Sequence, residues 1–426
     1  MKSKILIITI LSLFATLTLQ AQKQWTLQEC IDTALANNRN IKQREIVRQQ
    51  NEIKYCQAKL DLLPNISASA SQGWRFGLSD MSDGSIQQGT NSASTSFGLS
   101  SGLTIFDGMR MKYNIDARSL ELKTAEAELE KIRQDMIMSV ATAFLQTLLN
   151  KELVSNAHEQ LKLTDSNILQ KTSLVENGKL AHGDLLELQA QQSREEMTLI
   201  EAQNTLTYSL LELAQILELT DFSRMEVVVP EDLTENELAL LDAETIYAQA
   251  VQHRPEVQSA EYQLQNSETS VNIARSAYFP RIELSAGVSQ NLFNYKKENP
   301  LGSNVGFTLS VPIFDKLSTA NQVKQAKLGV ASSRLTLENT KLELRKTIQQ
   351  IYANALSAKA RWTAAIKAEK ASSEAFRYAN QKYDNDRASV YELYQAKSNL
   401  VRAQSELTQA KYEYIFRLKI LELYAQ

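Results

Sequence analysis

The sequence predicts a mainly α-helical protein with a small β part and an internal duplication. From Ser96 to Ile105, apolar residues occupy nearly every second position, which is the period of a β-strand. From Met109 to Val175 there is neither Pro nor Gly, so we expect one helix about 100 Å long at 1.5 Å per residue. The junction Ile105-Phe106-Asp107 between these segments recurs as Ile313-Phe314-Asp315. A repeated unit of this kind determines the fold.

The duplication also divides the chain into domains. Leu63-Pro64-Asn65-Ile66 recurs as Phe279-Pro280-Arg281-Ile282, upstream of the repeated junction. Each copy therefore reads helix, strand, loop, strand, long helix, turn and helix. We expect the first copy over residues 22–219, a linker over 220–243 and the second copy over 244–426.

Residues 1–21 are predicted to be a secretory signal peptide. Lys2 and Lys4 precede an apolar run from Ile5 to Leu19, and Leu19-Gln20-Ala21 offers a cleavage site. The run is too short for a spanning helix, and no later segment is long and apolar enough for one. Because 46 basic residues nearly balance 49 acidic ones, the chain has no electrostatic footprint for nucleic acid.

Local signals place several helix ends. Thr26-Leu27-Gln28-Glu29 is a capping box. Asp107 is expected to cap the first long helix, and Pro255 suits the first turn of a helix in the second copy. The first long helix carries two apolar rows, which indicate either neighbours on both sides, as in a helical wall, or an ordinary antiparallel coiled coil. The rows are Leu122, Ala125, Leu129, Ile132, Met136 and Ala143, and then Ile137, Val140, Phe144 and Leu148.

Four strands are predicted, two in each copy, over about 65–107 and 281–315. Each has about 9 to 13 residues, the length of a tilted strand that crosses a bilayer. Four strands cannot close a barrel, and an open sheet edge cannot exist in lipid. The strands therefore either belong to one barrel shared by several chains or form a small soluble sheet. Aromatic residues near the strand ends, as in the girdles of membrane barrels, are Trp74, Phe76, Phe106, Phe279, Phe293 and Phe314.

Nothing in the sequence indicates catalysis or a cofactor. His158, His182 and His253 lie far apart without i,i+4 pairing, which argues against a metal site. There is no phosphate-binding glycine loop and no nucleophile elbow. Cys30 and Cys56 lie about 39 Å apart if they share one helical arm. We therefore expect two buried free thiols, with an intermolecular bridge as the alternative.

Each long helix is followed by a turn and a shorter helix. The turns contain Asn177-Gly178-Lys179 in the first copy and Asn385-Asp386-Arg387 in the second. The second turn belongs to the pattern Tyr-x-x-x-x-x-Ser-x-x-Glu-Leu, from Tyr383 to Leu393. We expect both turns to be the distal ends of helical hairpins, as far from the strands as the chain reaches.

Five features together resemble the outer membrane efflux protein family of TolC type. They are the signal peptide, the duplicated layout, the Pro residue before the first strand of each copy (Pro64 and Pro280), the Phe-Asp pair after the second strand (Phe106-Asp107 and Phe314-Asp315) and the turn pattern from Tyr383 to Leu393. The resemblance covers essentially the whole chain after the signal peptide. It implies a homotrimer in which each subunit gives four strands to a twelve-stranded transmembrane β-barrel and long helices to a periplasmic α-barrel. It also implies a passive exit duct that contacts outer membrane lipid. Its partners would be a periplasmic membrane-fusion adaptor and an inner-membrane transporter.

The resemblance assigns roles near the hairpin ends. Tyr383 and Asp184 match positions that bond between neighbouring coils and hold the periplasmic end shut. Glu392 matches an acidic constriction position, and Gln395 stands at the next one. The two turn triplets named above match the tips that dock the adaptor.

This chain departs from the family pattern at the tips. Asp386 replaces a glycine, and Asn177 and Asn385 replace hydrophobic residues. Ala388 stands where the family has a basic residue. The ion pair that this basic residue would form is therefore missing unless the adjacent Arg387 substitutes for it. These departures weaken the assignment of adaptor docking.

One carboxylate per chain near a threefold axis becomes a ring of three, and a ring of like charges favours cations. We therefore expect Glu392 to contribute to such a ring and Tyr383 to bond Asp184 at the gate. The alternative is that these are solvated charges that cap helix ends. At the level of the whole protein, the alternative to a channel is a soluble periplasmic coiled-coil scaffold.

Overall fold

A computed structural model describes residues 23–76, 79–80, 86–87, 92–178, 181–221, 225–228, 242–293, 301–385 and 387–425. The predicted signal peptide and most of the predicted linker lie outside these residues. The chain forms two compact units. The first, which we call the helical unit, comprises Met1–Gln43, Glu130–His253 and Leu342–Gln426. The second, the sheet unit, comprises Arg44–Leu129 and Arg254–Lys341.

The elements follow the order predicted for two copies of one unit. The first copy contains β1 (Lys23–Trp25), α1 (Leu27–Asn37), α2 (Arg39–Leu60), β2 (Asn65–Arg75), β3 (Ser79–Asp80), β4 (Ile86–Gln87), β5 (Ser92–Phe106), α3 (Arg110–Glu176) and α4 (His182–Ile216). After β6 (Met225–Val227), the second copy contains α5 (Ala243–His253), α6 (Pro255–Ser276), β7 (Arg281–Phe293), β8 (Gly302–Ser310), α7 (Ser318–Asp384) and α8 (Val390–Ala425).

The core of the helical unit forms around α3. Val140, Phe144 and Leu148, from the second predicted apolar row, have no solvent-exposed surface. They pack in one cluster with residues of α1, α4 and α8, among them Cys30 and Leu213. Burying side chains of this size stabilises the fold by about 1.5–3 kcal/mol each.

Two short strands in the helical unit were not predicted. β1 pairs in parallel with β6, so that Lys23 lies opposite Met225 and Trp25 opposite Val227. Lys151 of α3 donates hydrogen bonds to Glu226 Oε1 and to the Val227 carbonyl, at 3.0 and 2.9 Å. The β1–β6 pair and the Lys151 hydrogen bonds hold β6, which is part of the predicted linker, against the core. Strands of three residues are too short to show a period in the sequence.

The sheet unit contains the four predicted strands in one antiparallel sheet of order β2-β5-β7-β8. The two copies meet where β5 pairs with β7, and β2 and β8 are the edges within the chain. The loop predicted between β2 and β5 contains the short β3–β4 pair. The other part of that loop, like residues 294–300, lies outside the described residues.

The strand-to-helix junctions of the two copies have the same geometry. Asp107 Oδ1 accepts from the Met111 amide at 3.2 Å, and Asp315 Oδ2 accepts from the Thr319 amide at 2.7 Å. In each copy the two residues after the Asp have positive φ, 70° and 69° at residues 108 and 109 and 58° and 65° at residues 316 and 317. The Asp therefore accepts a hydrogen bond from the first helical turn, as predicted. It stands three residues before the first residue of the helix, and not directly before it.

Other local predictions are confirmed or corrected. The Thr26–Glu29 capping box is present with both of its hydrogen bonds, and Pro255 begins α6. Cys30 is buried and Cys56 is exposed, so the prediction of two buried thiols is wrong for Cys56, which lies on an outward face of α2.

None of the helices within the described residues combines the length and the apolar character needed to cross a bilayer.

Candidate functional site at the hairpin ends

The two hairpin turns end their helices in the same way. The Asn177 side-chain amide donates to the Ser173 carbonyl at 2.6 Å, and that of Asn385 donates to the Gln381 carbonyl at 2.7 Å. The Ser173 carbonyl also accepts from the Asn177 backbone amide at 3.2 Å. In both turns the Asn side chain thus adds a hydrogen bond to a carbonyl of the last helical turn. Gly178, at φ 71°, closes the first turn. The Asn residues that depart from the family pattern therefore have a local structural role.

The Ser and Glu of the second turn begin α8. Ser389 Oγ accepts a hydrogen bond from the Glu392 amide at 3.2 Å, which is an N-terminal cap. The Glu392 carboxylate pairs with Lys382 of α7 at 3.2 Å, and both side chains are exposed. An exposed pair of this kind is weak. The cap accounts for Ser389, because its hydrogen bond comes from a backbone amide, whereas the Glu392 side chain pairs with Lys382.

Tyr394 lies among the predicted gate residues. Burial raises the pKa of its hydroxyl, and the charges of Tyr383, Glu187, Glu195 and Asp184 raise it further. The structure thus brings Tyr383 and Asp184, which lie on different hairpins, to the surroundings of one side chain. Lys171 of α3 sits over the Tyr383 ring, with its Nζ 4.3 Å from the ring centroid, which is a cation–π contact.

A buried ion pair lies further along the same helices. Lys397 of α8 and Glu195 of α4 are 5% and 8% exposed, and Nζ is 3.4 Å from Oε1. Thr164 of α3 donates to the Glu195 carboxylate and accepts from Lys397 Nζ. Gln191 and Gln160 also donate to Glu195 Oε1, at 2.9 and 3.3 Å. Three helices therefore meet in one polar cluster, and burial lowers the pKa of Lys397 against the opposing effect of Glu195.

The remaining predicted site residues either are exposed or lie outside the residues that the structure describes. Gln395 is exposed and lines a shallow groove of about 540 Å³ between α7 and α8, together with Lys382 and Glu392. Arg387 is exposed, and its amide donates to the Lys382 carbonyl at 2.8 Å. Lys179 and Asp386 fall outside the described residues.

Sequence reasoning missed Tyr394 and the whole Lys397 cluster. Polar residues at helical spacing are usually a solvated face, so Glu195 and Lys397 gave no signal of burial. Tyr394 stands two residues after Glu392, and the sequence gives no sign that separates it from Tyr391, which is 69% exposed. Among the described residues, no group of His, Cys, Asp and Glu side chains is placed to hold a metal ion.

The sequence model of the family described as outer membrane efflux protein matches residues 30–218 and 246–423. Those residues make up most of the chain and cover both copies. The chain belongs to the outer membrane efflux protein family. The part left unmatched between the copies coincides with the predicted linker and includes β6.

Known proteins of other bacteria are similar to this chain over most of its length. It is 21% identical to the protein CyaE of Bordetella pertussis over 80% of this chain and 71% of that protein. It is 23% identical to the outer membrane protein TolC of Escherichia coli over 85% of this chain and 74% of TolC.

Solved structures show the same fold. The CmeC outer membrane channel of Campylobacter jejuni superposes with a TM-score of 0.80 and 19% identity, over 94% of this chain and 85% of CmeC. The predicted class, mainly helical with a small sheet and long helices of α-barrel type, is confirmed. As an outer membrane efflux protein, the chain is an outer membrane channel protein that extends into the periplasm.

Proposed function

We propose that three copies of this chain form a passive exit duct of a tripartite efflux or type I secretion system, which docks a periplasmic adaptor and an inner-membrane transporter. The observation that carries the proposal is the sheet with two free edges. Backbone N–H and C=O groups at such edges cannot stay unpaired in lipid. Strand direction alternates along β2-β5-β7-β8, so β8 can pair antiparallel with β2 of another copy. Repeating that pairing closes a ring.

The two faces of the sheet support a membrane barrel over a soluble sheet. Cross-strand partners place large apolar side chains together on one face, and many of them are exposed. The other face holds mostly Ser, Gly and Asn. The apolar face includes Ile66, Trp74, Phe97, Leu99, Val288, Val305, Phe307 and Leu309. A contiguous exposed apolar surface of this kind fits lipid, whereas a soluble scaffold would have to cover it.

The test of this function is the mass of the native protein and its ability to conduct. We expect the protein to require detergent for extraction and to have three times the mass of one chain by light scattering, detergent excluded. Added to a planar lipid bilayer, it should produce discrete conductance steps. A monomer that stays in buffer without detergent would favour the periplasmic scaffold instead.

Within this duct we propose that Tyr383 and Asp184 hold the periplasmic end shut and that Glu392 forms a ring of three carboxylates. The charges of both gate residues raise the pKa of the Tyr394 hydroxyl, which supports their belonging to one site. Lys382 pairs with Glu392 in each chain, so the ring carries less negative charge than three free carboxylates would. Lys382 therefore moderates the preference for cations that Glu392 provides.

Single-channel recording separates these roles. Asp184→Ala should raise the conductance of the resting channel because a bond that closes it is lost. Glu392→Gln should lower the cation preference, read from the reversal potential in a salt gradient, and Lys382→Met should raise it. Arg377→Met is the matched control, since Arg377 pairs with Glu374 on the exposed surface of the same helix. If Glu392→Gln and Lys382→Met leave the reversal potential at the control value, the charged ring is refuted.

A further inference from the structure

The polar face of the sheet carries almost no charge. On this face Ser71 Oγ of β2 lies 2.6 Å from Ser96 Oγ of β5, and Ser96 lies opposite Asn291 of β7. Because side chains alternate between the two faces of a strand, every second residue from these positions belongs to the same face. The charged residues of β2, β5, β7 and β8 all do so, and they are Arg75, Glu283 and Arg281.

Two of these three charges neutralise each other, whereas the third has no counterpart in the strands. Glu283 and Arg281 form an ion pair near the strand ends at which the helices attach. Arg75 is the last residue of β2, at the opposite end of the sheet. Its side chain is exposed, it lies opposite Ser92, and it forms no ion pair with any residue that the structure describes. The net charge of the four strands is therefore one arginine per chain.

The proposed barrel places Arg75 in its pore. The apolar face of the sheet meets lipid in such a barrel, so the polar face lines the pore. The helices attach at the Glu283 end of the strands and the chain extends into the periplasm, so Arg75 lies at the outer mouth. Arg75 stands about 34 Å along β2 from Asn65, which is at the helix end of the same strand.

Three copies bring three of these side chains close together. Twelve strands about 4.8 Å apart and tilted by about 40° close into a barrel with a radius of about 12 Å. An extended arginine side chain reaches about 6 Å from its Cα atom, at about 1.5 Å per bond. The three guanidinium groups then lie about 6 Å from the pore axis and about 10 Å from one another. At an ionic strength of about 0.1 M the Debye length is about 10 Å, so all three charges act on one ion at the axis.

We propose that the Arg75 side chains of three copies form an anion-binding ring at the outer mouth of the pore, whose ligand is a multivalent anion with several phosphate groups. This inference rests on the proposed ring of three copies and adds a binding site to it. Guanidinium groups pair with phosphate oxygens in a bidentate way. A chain of phosphates offers separate oxygens to each guanidinium, so it should bind more tightly than a single phosphate. The loop residues 77–91 and 294–301 carry charges of both signs, so the site is assigned to Arg75 alone.

Isothermal titration calorimetry of the native protein in detergent tests the arginine ring, with inorganic tripolyphosphate as the probe at about 0.1 M salt. We expect one tripolyphosphate to bind per three chains. Arg75→Gln should weaken this binding more than about tenfold, because it removes charge-assisted hydrogen bonds from all three copies. Arg75→Lys keeps the charge but not the planar fork, so its affinity should fall between the two. Arg281→Gln is the matched control on the same face. It lies more than about 30 Å from Arg75 and should change the dissociation constant less than about twofold.

The outcomes separate this inference from the function on which it rests. Binding that survives Arg75→Gln, binding of one tripolyphosphate per chain, or a native trimer that binds none overturns the arginine ring and leaves the exit duct standing. A native monomer overturns both. Because Arg75 is exposed and has no ion-pair partner in the described part of the chain, its replacement should not impair folding, and the native mass of each variant by light scattering verifies this.

Discussion

Replacing Gly108 by Ala should destabilise the protein by about 2–5 kcal/mol. An L residue in left-handed backbone costs about 1–2 kcal/mol, and forcing extra atoms into a packed site costs about 1–3 kcal/mol more. Both costs apply here because φ is 70° and the Ser276 carbonyl oxygen would lie 2.4 Å from the new Cβ. Backbone atoms in helix and junction cannot move aside as a flexible side chain could.

The measurement is the thermal unfolding transition, followed by circular dichroism in detergent. With an unfolding entropy of about 2.1 cal/mol/K per residue, the expected fall in Tm is about 2–6 °C. Gly178→Ala is the matched control, since Gly178 has φ 71° but open space around its Cα. It should show the backbone cost alone, a fall of about 1–2 °C. Equal shifts for the two variants would show that the close approach to Ser276 is not rigid.

Removing the Glu195 carboxylate should also destabilise the protein strongly. In Glu195→Leu, Lys397 keeps Thr164 as a neutral partner but loses its carboxylate in a site that is 5% exposed. Breaking a buried pair in this way costs about 3–5 kcal/mol. Lys397→Met should cost less, because the Glu195 carboxylate still accepts from Gln160, Gln191 and Thr164.

Thermal unfolding of both single variants and of the double variant provides the comparison. The double variant should be more stable than Glu195→Leu, since it leaves no buried charge without a partner. The exposed pair of Glu374 and Arg377 is the control, and Glu374→Leu should change stability by less than about 1 kcal/mol. If Glu195→Leu behaves like Glu374→Leu, water reaches Lys397 in the assembled protein and the pair is not buried there.

The parts of the fold that sequence predicted are those with a strong local signal. The long α3 follows from the absence of Pro and Gly between Met109 and Val175, and the four strands follow from their alternation. Repetition strengthened each signal, because a pattern that occurs twice in the same order is seldom accidental. For the same reason the two Asp-led junctions are evident from the amino-acid sequence alone.

The parts that sequence missed depend on tertiary packing. Whether Glu195 and Lys397 are solvated or buried is decided by how α3, α4 and α8 approach one another, and no period in one helix records that. The β1–β6 pair joins segments far apart in the chain, each three residues long. At the hairpin ends, the resemblance assigns Tyr383, Asp184 and Glu392 to a gate, which stays a prediction, whereas Lys382 as the partner of Glu392 required the structure.

The free edges of β2 and β8 also bear on how the protein reaches its membrane. A lone subunit that entered lipid would leave a row of backbone donors and acceptors without hydrogen bonds along each edge, so insertion of single chains is strongly disfavoured. For the proposed ring of copies, we expect assembly and insertion to form one cooperative step. If the proposed ring is correct, the rate of that step should rise more steeply than linearly with the concentration of chains.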